Sequence, residues 1–391
     1  MWFLRDPLRL SEQQLIVPQA TAQLLLFLDG ARSEVEIHEA FCQRIEQRVD
    51  HAVLSHILDQ LDEACLLDNE RAREAAAAQL RMYREQEFRP PALAGAGYPA
   101  DPQALSALLR EYGPDEERLT LPAWRGRGLI SPHIDYMRGG TVYAQVWQSA
   151  AQAIAEAEMV LIFGTDHNGG RDLLTLTRQP YATPYGVLPA APALVNELAA
   201  AYGCESSFAA ELNHRDEHSI ELSAIWLHFM FQELGRDPCP VTPLLCGSFA
   251  PYLDDNRHPA DDRRLSAFIN ELQRQCAGKR VLAVASVDLA HVGPAFGDRT
   301  VMDERKRQQL ALADHSLIEA IESGDHARFF REIAAVEDRN RICGFSSIYM
   351  MLRYLEQPGR LPVQGMEVAY EHCSADERDA SLVSICGLLL T

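Results

Sequence analysis

The sequence predicts an α/β protein: a mainly parallel sheet covered by helices, preceded by a small winged-helix domain. Three observations predict it. From residue 128 onward, apolar runs of strand length alternate with helical stripes, the pattern of a sheet with helices on both faces. Met159-Val160-Leu161-Ile162-Phe163-Gly164 is a continuous apolar run, as expected of a parallel strand buried on both sides. Residues 1–75 carry three short helical stripes and then a β-like segment, the order of a winged helix. A chain of 391 residues also exceeds one ordinary core, so two domains are expected.

In the first domain, Pro18 opens a helix carrying Ala22, Leu24, Leu25 and Leu28, and Asp29-Gly30 stops it. Ser33 and Glu36 have capping-box spacing, with Val35, Ile37, Phe41 and Ile45 as the next apolar stripe. Asp50 caps a third helix bearing Val53, Leu54, Ile57, Leu58 and Leu61. Leu66-Leu67-Asp68 is then read as the start of a short strand or hairpin. Residues 76–93, alanine-rich and ending in Arg89-Pro90-Pro91, are expected to form a solvent-facing helical linker. The second domain then occupies 94–391.

In that domain Gly128-Leu129-Ile130-Ser131 is the first strand, followed by a helix through Tyr143, Val146, Trp147 and Ala150. After 159–164, further strands are expected at 173–177, 241–246, 281–287, 366–371 and 382–389. Asp314-His315 and Asp325-His326 fall in charged helical stretches and are read as solvated.

Hydrophobic content of 47% and charged content of 24% are ordinary for a globular protein. The formal net charge of −20 argues against nucleic acid or an anionic membrane as partner, since both need concentrated basic surface. The nine cysteines are odd in number, scattered and free of CxxC pairs, which reads as reduced thiols. Asp6 interrupts any signal-peptide core, and no apolar run reaches the ~20 residues needed to cross a bilayer. A cytoplasmic location is expected.

Ligands of open α/β sheets bind beyond the carboxyl ends of the strands. Three strands end in histidine-bearing segments: Pro132-His133-Ile134-Asp135, Thr165-Asp166-His167-Asn168 and Asp288-Leu289-Ala290-His291. A fourth segment, Asp216-Glu217-His218-Ser219, opens a helix. Read alone it is an acidic helix start complementing the dipole. Tyr136 and Arg138 stand where they could orient an anionic substrate, though Arg138 equally suits a surface ion pair. Cys343-Gly344 either lines the pocket or contributes a buried thiol.

Two resemblances follow. Arg5-Asp6-Pro7, Leu28-Asp29-Gly30 and Leu61-Asp62-Glu63-Ala64-Cys65-Leu66-Leu67 make the first domain similar to PqqD-like domains, which bind leader peptides. A winged helix used for dimerisation is the alternative. The four histidine segments, together with Ala94-Gly95-Ala96-Gly97-Tyr98-Pro99-Ala100-Asp101, Arg341-Ile342-Cys343-Gly344 and the tail Asp379 to Gly387, make 94–391 resemble the Memo family, including protein B of AmmeMemoRadiSam systems.

That resemblance implies the fold of class III extradiol ring-cleaving dioxygenases, which hold non-haem Fe(II) at the strand ends. It implies His133 and His167 as metal ligands and His218 as the pocket histidine that passes a proton, imidazole titrating near neutrality. Some family members place a cysteine ligand where this chain has Ala290. Candidates to complete the site are His291, ranked first, then Asp288 and Glu217. Asp288 is also read as a catalytic group or as the acceptor that fixes an imidazole tautomer. Fe(II) is the first expectation for the metal. Zinc and copper are alternatives, and the missing thiolate disfavours soft Cu(I). The implied partners are a radical SAM protein, a small partner domain and a peptide at the N-terminal domain. Three functions compete: a dioxygenase-like redox enzyme in peptide or protein maturation, a non-enzymatic metal- or peptide-binding scaffold, and a zinc-dependent hydrolase.

Overall fold

The protein is described from a computed structural model, in residues 1–113, 124–170, 172–357 and 361–391. It folds as two compact units, Met1–Glu85 and Gln86–Thr391.

The first unit opens with an antiparallel pair, β1 (Trp2–Leu4) and β2 (Leu15–Val17). The expected helix after Pro18 is one α-turn, Gln19–Ala22, continued as a 3₁₀ segment, Gln23–Phe27. Ser33 and Glu36 form the capping box of the helix Glu34–Ile45, and Asp50 accepts from Ala52 N–H at the start of His51–Glu63. Leu24, Ile37, Phe41 and Leu54 make a small core.

The strand expected at Leu66-Leu67-Asp68 is absent. Cys65 takes a left-handed backbone (φ 55°), and the Leu66 N–H closes the preceding helix on the Leu61 carbonyl. Asn69 then caps the next helix, Glu70–Glu85, through Ala72 N–H. One helix hands directly to the next, which leaves no extended residues for a wing. The β element of this unit sits at its beginning.

The second unit is built on an eight-stranded sheet. Its first strands are β3 (Gly128–Ser131), β4 (Met159–Thr165) and β5 (Leu174–Leu176). A separate hairpin follows, β6 (Tyr181–Thr183) with β7 (Gly186–Leu188). The main sheet continues with β8 (Val241–Cys246), β9 (Val281–Ser286), β10 (His291–Val292), β11 (Gly365–Ser374) and β12 (Leu382–Leu390). The order is β10-β12-β3-β9-β4-β8-β5, with β11 on β12. The central four strands, β3-β9-β4-β8, are parallel; β12 and β5 flank them antiparallel, and β10 and β11 each pair antiparallel with β12.

The central strands are buried throughout, and their residues alternate between two cores. Leu161 and Phe163 face the helices Pro192–Tyr202, Arg263–Gln275 and Phe345–Leu355. Val160 and Ile162 face Tyr136–Ser149 and His218–Glu233. This period of two explains why the strands read as unbroken apolar runs. Asp314, read as solvated, is instead fully buried and accepts from the Tyr370 hydroxyl. Its helix, Glu304–Glu322, turns that side towards β11 and β12.

Chain order sets the site. β3 and β4 are consecutive central strands in sequence, yet β9 lies between them in the sheet. The segments leaving β3, β9 and β4 therefore emerge side by side at one edge, as expected where strand order reverses. Among the described residues, no helix is long and apolar enough to cross a membrane.

Candidate metal centre

His133, His167 and His218 converge. One ring nitrogen of each lies within 4.8 Å of the other two. The His167 and His218 rings stack at 4.6 Å, and each meets the His133 ring edge-on, at 5.0 and 5.3 Å.

Each ring is oriented from behind. His133 is only 2% exposed, and its Nδ1 lies 3.0 Å from the Ser286 carbonyl at the end of β9. A carbonyl only accepts, so Nδ1 carries the hydrogen and Nε2 presents its lone pair. Glu217 does the same for the other two. Its Oε1 accepts from His167 Nδ1 at 2.9 Å and lies 3.2 Å from His218 Nδ1. With Nδ1 of each ring turned to a carbonyl or carboxylate oxygen, Nε2 is left as the atom able to bind a metal.

Glu217 holds this place as the N-cap of His218–Glu233, accepting Ser219 N–H at 2.9 Å. The helix start is locked from outside by buried Arg89. Its guanidinium donates to the carbonyls of His214 and Glu217, both at 2.9 Å, and pairs with Glu221 one turn on. Glu221 also accepts from Tyr98 and from the backbone N–H of Ala92 and Leu93.

The electrostatics follow from burial and from these pairings. Burial pushes the His133 pKa well down, and His167 and His218 push it further. For His167 burial alone would lower it, but the Glu217 hydrogen bond and charge outweigh that and raise it. Burial would raise Glu217, yet its two histidine partners hold it well below the usual carboxylate range. Burial raises Asp288.

Asp288 and His291 take other places than expected. Asp288 Oδ1 accepts the backbone N–H of His133 (2.9 Å) and Ile134 (3.2 Å), so it fixes the chain that carries the first histidine. It does not fix a tautomer; the Ser286 carbonyl does. Its Oδ2 is 3.6 Å from His133 Nε2. His291, expected first as the third ligand, stands outside the convergent group. Its Nδ1 lies 3.2 and 3.3 Å from the carbonyls of Leu289 and Arg341, and its ring meets Phe296 edge-on at 5.2 Å. Ala290 and His291 flank a strand start, where neighbours point to opposite sides. The third histidine of the convergent group is His218.

Cys343 lines the centre. Its Sγ is 3.3 Å from His133 Nε2, and burial raises its pKa well above the ordinary thiol value. Tyr136 is not free for a substrate, because its hydroxyl donates to the Leu222 carbonyl. Arg138 pairs with Asp135. Gly139 and Gly140 admit Ile134 and Tyr112, where a Cβ would stand 2.5 and 2.4 Å from their side chains. Sequence reasoning missed Ser286, whose role is a backbone carbonyl, and no side-chain pattern could have signalled it.

Two cavities meet at the centre. One, of 430 Å³, is lined by His133, His167, His218, Asp288, His291 and Phe296. The other, of 810 Å³, shares His167, His291 and Phe296 and adds Asp166, Phe249, Arg341, Cys343 and Phe345. Both fall within the size range of small-molecule sites.

Residues 89–388 match the family model described as "Memo-like protein". Among curated relatives, a "MEMO1 family protein" of Aquifex aeolicus is 24% identical over 357 residues, 91% of this chain and 87% of the relative. That alignment covers more residues than the second unit contains, so it reaches into the first. The "MEMO1 family protein TRQ2_0860" of Thermotoga sp. is 30% identical over 278 residues, 68% of this chain and 87% of the relative. A "MEMO1 family protein" of Methanosarcina mazei is 29% identical over 266 residues, 68% and 85% of the two chains.

Proposed function

Because the chain belongs to the Memo-like protein family, we propose that His133, His167 and His218 hold a divalent metal ion and that the protein is a metal-dependent enzyme of the dioxygenase-like type. The observation that carries the reading is the convergence of three ring nitrogens within 4.8 Å. The donor set fits an ion. Nδ1 of each ring faces a carbonyl or carboxylate, so Nε2 is the ligand atom, and the carboxylate behind two of them is a recurrent feature of metal-binding histidines.

A bound divalent ion would supply Lewis-acid or redox chemistry at this point. The chain's own residues do the rest. Burial keeps His133 neutral and able to ligate. Glu217 holds His167 and His218 in register. Asp288, whose Oδ2 borders the smaller cavity's histidines and whose pKa burial raises, is placed to hold or release a proton beside His133. We further propose a setting in a radical SAM-associated maturation system, in which residues 1–93 recognise a peptide. The PqqD-like motifs of the first unit support that part of the reading.

One observation favours a second chemistry. The common non-haem iron site has two histidines and a carboxylate ligand. Here the carboxylate stands behind the imidazoles, and three histidines with an open position is a catalytic zinc arrangement. Zinc-dependent hydrolysis is therefore the runner-up, and a non-catalytic scaffold the third reading.

The test is metal analysis of protein purified without oxygen, together with His133→Ala and His167→Ala. About one ion per chain, lost in both variants, is expected. A parent without stoichiometric metal would remove the reading. Oxygen uptake with added catechols on iron-loaded protein separates dioxygenase-like chemistry from the alternatives.

A further inference from the structure

The larger cavity beside His167 has a chemical character of its own. Phe249 and Phe345 meet edge-to-face in its wall at 5.3 Å. Ser346, in the first turn of Phe345–Leu355, also lines it. This serine is only 3% exposed, and its hydroxyl has no hydrogen-bond partner among the described residues. A buried hydroxyl without a partner is costly unless a ligand or water meets it.

The polar lining is acidic. Asp254 and Glu337 are exposed and Asp338 half-buried. Arg341, the one arginine among the described residues that line this cavity, is already engaged by Asp298 and by the His291 carbonyl at 2.9 Å. Glu337, Asp338 and Arg341 all have left-handed backbones, with φ of 52°, 45° and 52°. Non-glycine residues adopt that region at a cost, and such strain gathers at ligand sites. The Ile342 N–H on Asp338 Oδ1, at 2.9 Å, holds the loop in that shape.

We infer that this cavity takes an amine carried on an aromatic or aliphatic body. The apolar body lies against Phe249 and Phe345, the ammonium faces Asp254, Glu337 and Asp338, and Ser346 supplies a hydrogen bond. The inference rests on the metal-centre reading only in making that amine the substrate. Cation recognition belongs to the cavity alone.

The test is calorimetric binding of 3-phenylpropylamine, 3-phenylpropanol and 3-phenylpropionate to the full chain, before and after metal removal by chelation. The amine is expected to bind about tenfold tighter than the alcohol, with the carboxylate weakest. Glu337→Gln combined with Asp254→Asn, both at exposed positions, should bring the amine to the alcohol's affinity and leave the alcohol unchanged. Ser346→Ala should weaken the amine and the alcohol about threefold. Equal or tighter binding of the carboxylate, no binding of any probe, or an amine indifferent to the double variant would overturn the inference. Metal content measured on the same samples separates the two readings: amine preference without stoichiometric metal removes the metal centre alone, and metal without amine preference removes this inference alone.

Discussion

Glu217 grips His167 twice: Oε2 accepts the backbone N–H and Oε1 accepts Nδ1–H, both at 2.9 Å. One carboxylate thus fixes where the chain leaves β4 and which way the ring faces. Glu217→Gln keeps the shape but replaces one acceptor oxygen with a donor NH₂, which cannot satisfy both contacts. Metal affinity should fall about 10- to 100-fold, measured by chelator competition. Unchanged affinity would show that the carboxylate does not set the imidazoles.

His291 and His218 part company in the same assay. His218→Ala should lose bound metal, whereas His291→Ala should retain it at parent stoichiometry. The reverse pattern would restore His291 to the ligand set and displace His218.

Gly164 packs the end of β4 against the helix that carries His218. A Cβ there would stand 2.5 Å from Ile220 and 2.7 Å from the Ser219 hydroxyl. Gly164→Ala should destabilise the fold by about 1–3 kcal/mol, the cost of overpacking. It should also weaken metal binding, because relief of the clash moves the turn bearing Glu217 and His218. Urea unfolding and metal titration on one sample read both effects.

Arg89 and Glu221 form an ion pair with side chains 0% and 1% exposed. Removing one partner leaves a buried charge, so Arg89→Met should cost about 3–5 kcal/mol. Adding Glu221→Gln should recover part of it. A double-mutant cycle by chemical denaturation checks the coupling, and strict additivity would refute it.

His228 is buried and its pKa is lowered to about 4, because burial penalises the charged ring. Between its unfolded value of about 6.5 and about 4, the unfolded chain takes up a proton that the folded one refuses. Its contribution to stability therefore falls as pH falls through that window. His228→Phe should gain on the parent by up to about 3 kcal/mol between pH 7 and pH 4. A pH-independent difference in unfolding free energy would contradict the assignment.

The sequence by itself determined a good deal. The seven strands expected in the second unit are present, because unbroken apolar runs such as 159–164 have no stable place except a sheet buried on both faces. His133 and His167 were legible for a related reason: each follows directly on a strand whose end must face the ligand edge. The N-terminal wing expected from Leu66-Leu67-Asp68 does not form there, since Leu66 and Leu67 carry strand-like chemistry but lie in the turn between two helices. Tertiary structure alone decided the third histidine. Sequence ranked His291, at a strand end, above His218, at a helix start, and only the placement of β9 between β3 and β4, with Arg89 locking the next helix start, puts one ring in the group and leaves the other outside. Convergence depends on strand order and helix placement, which side-chain patterns do not encode.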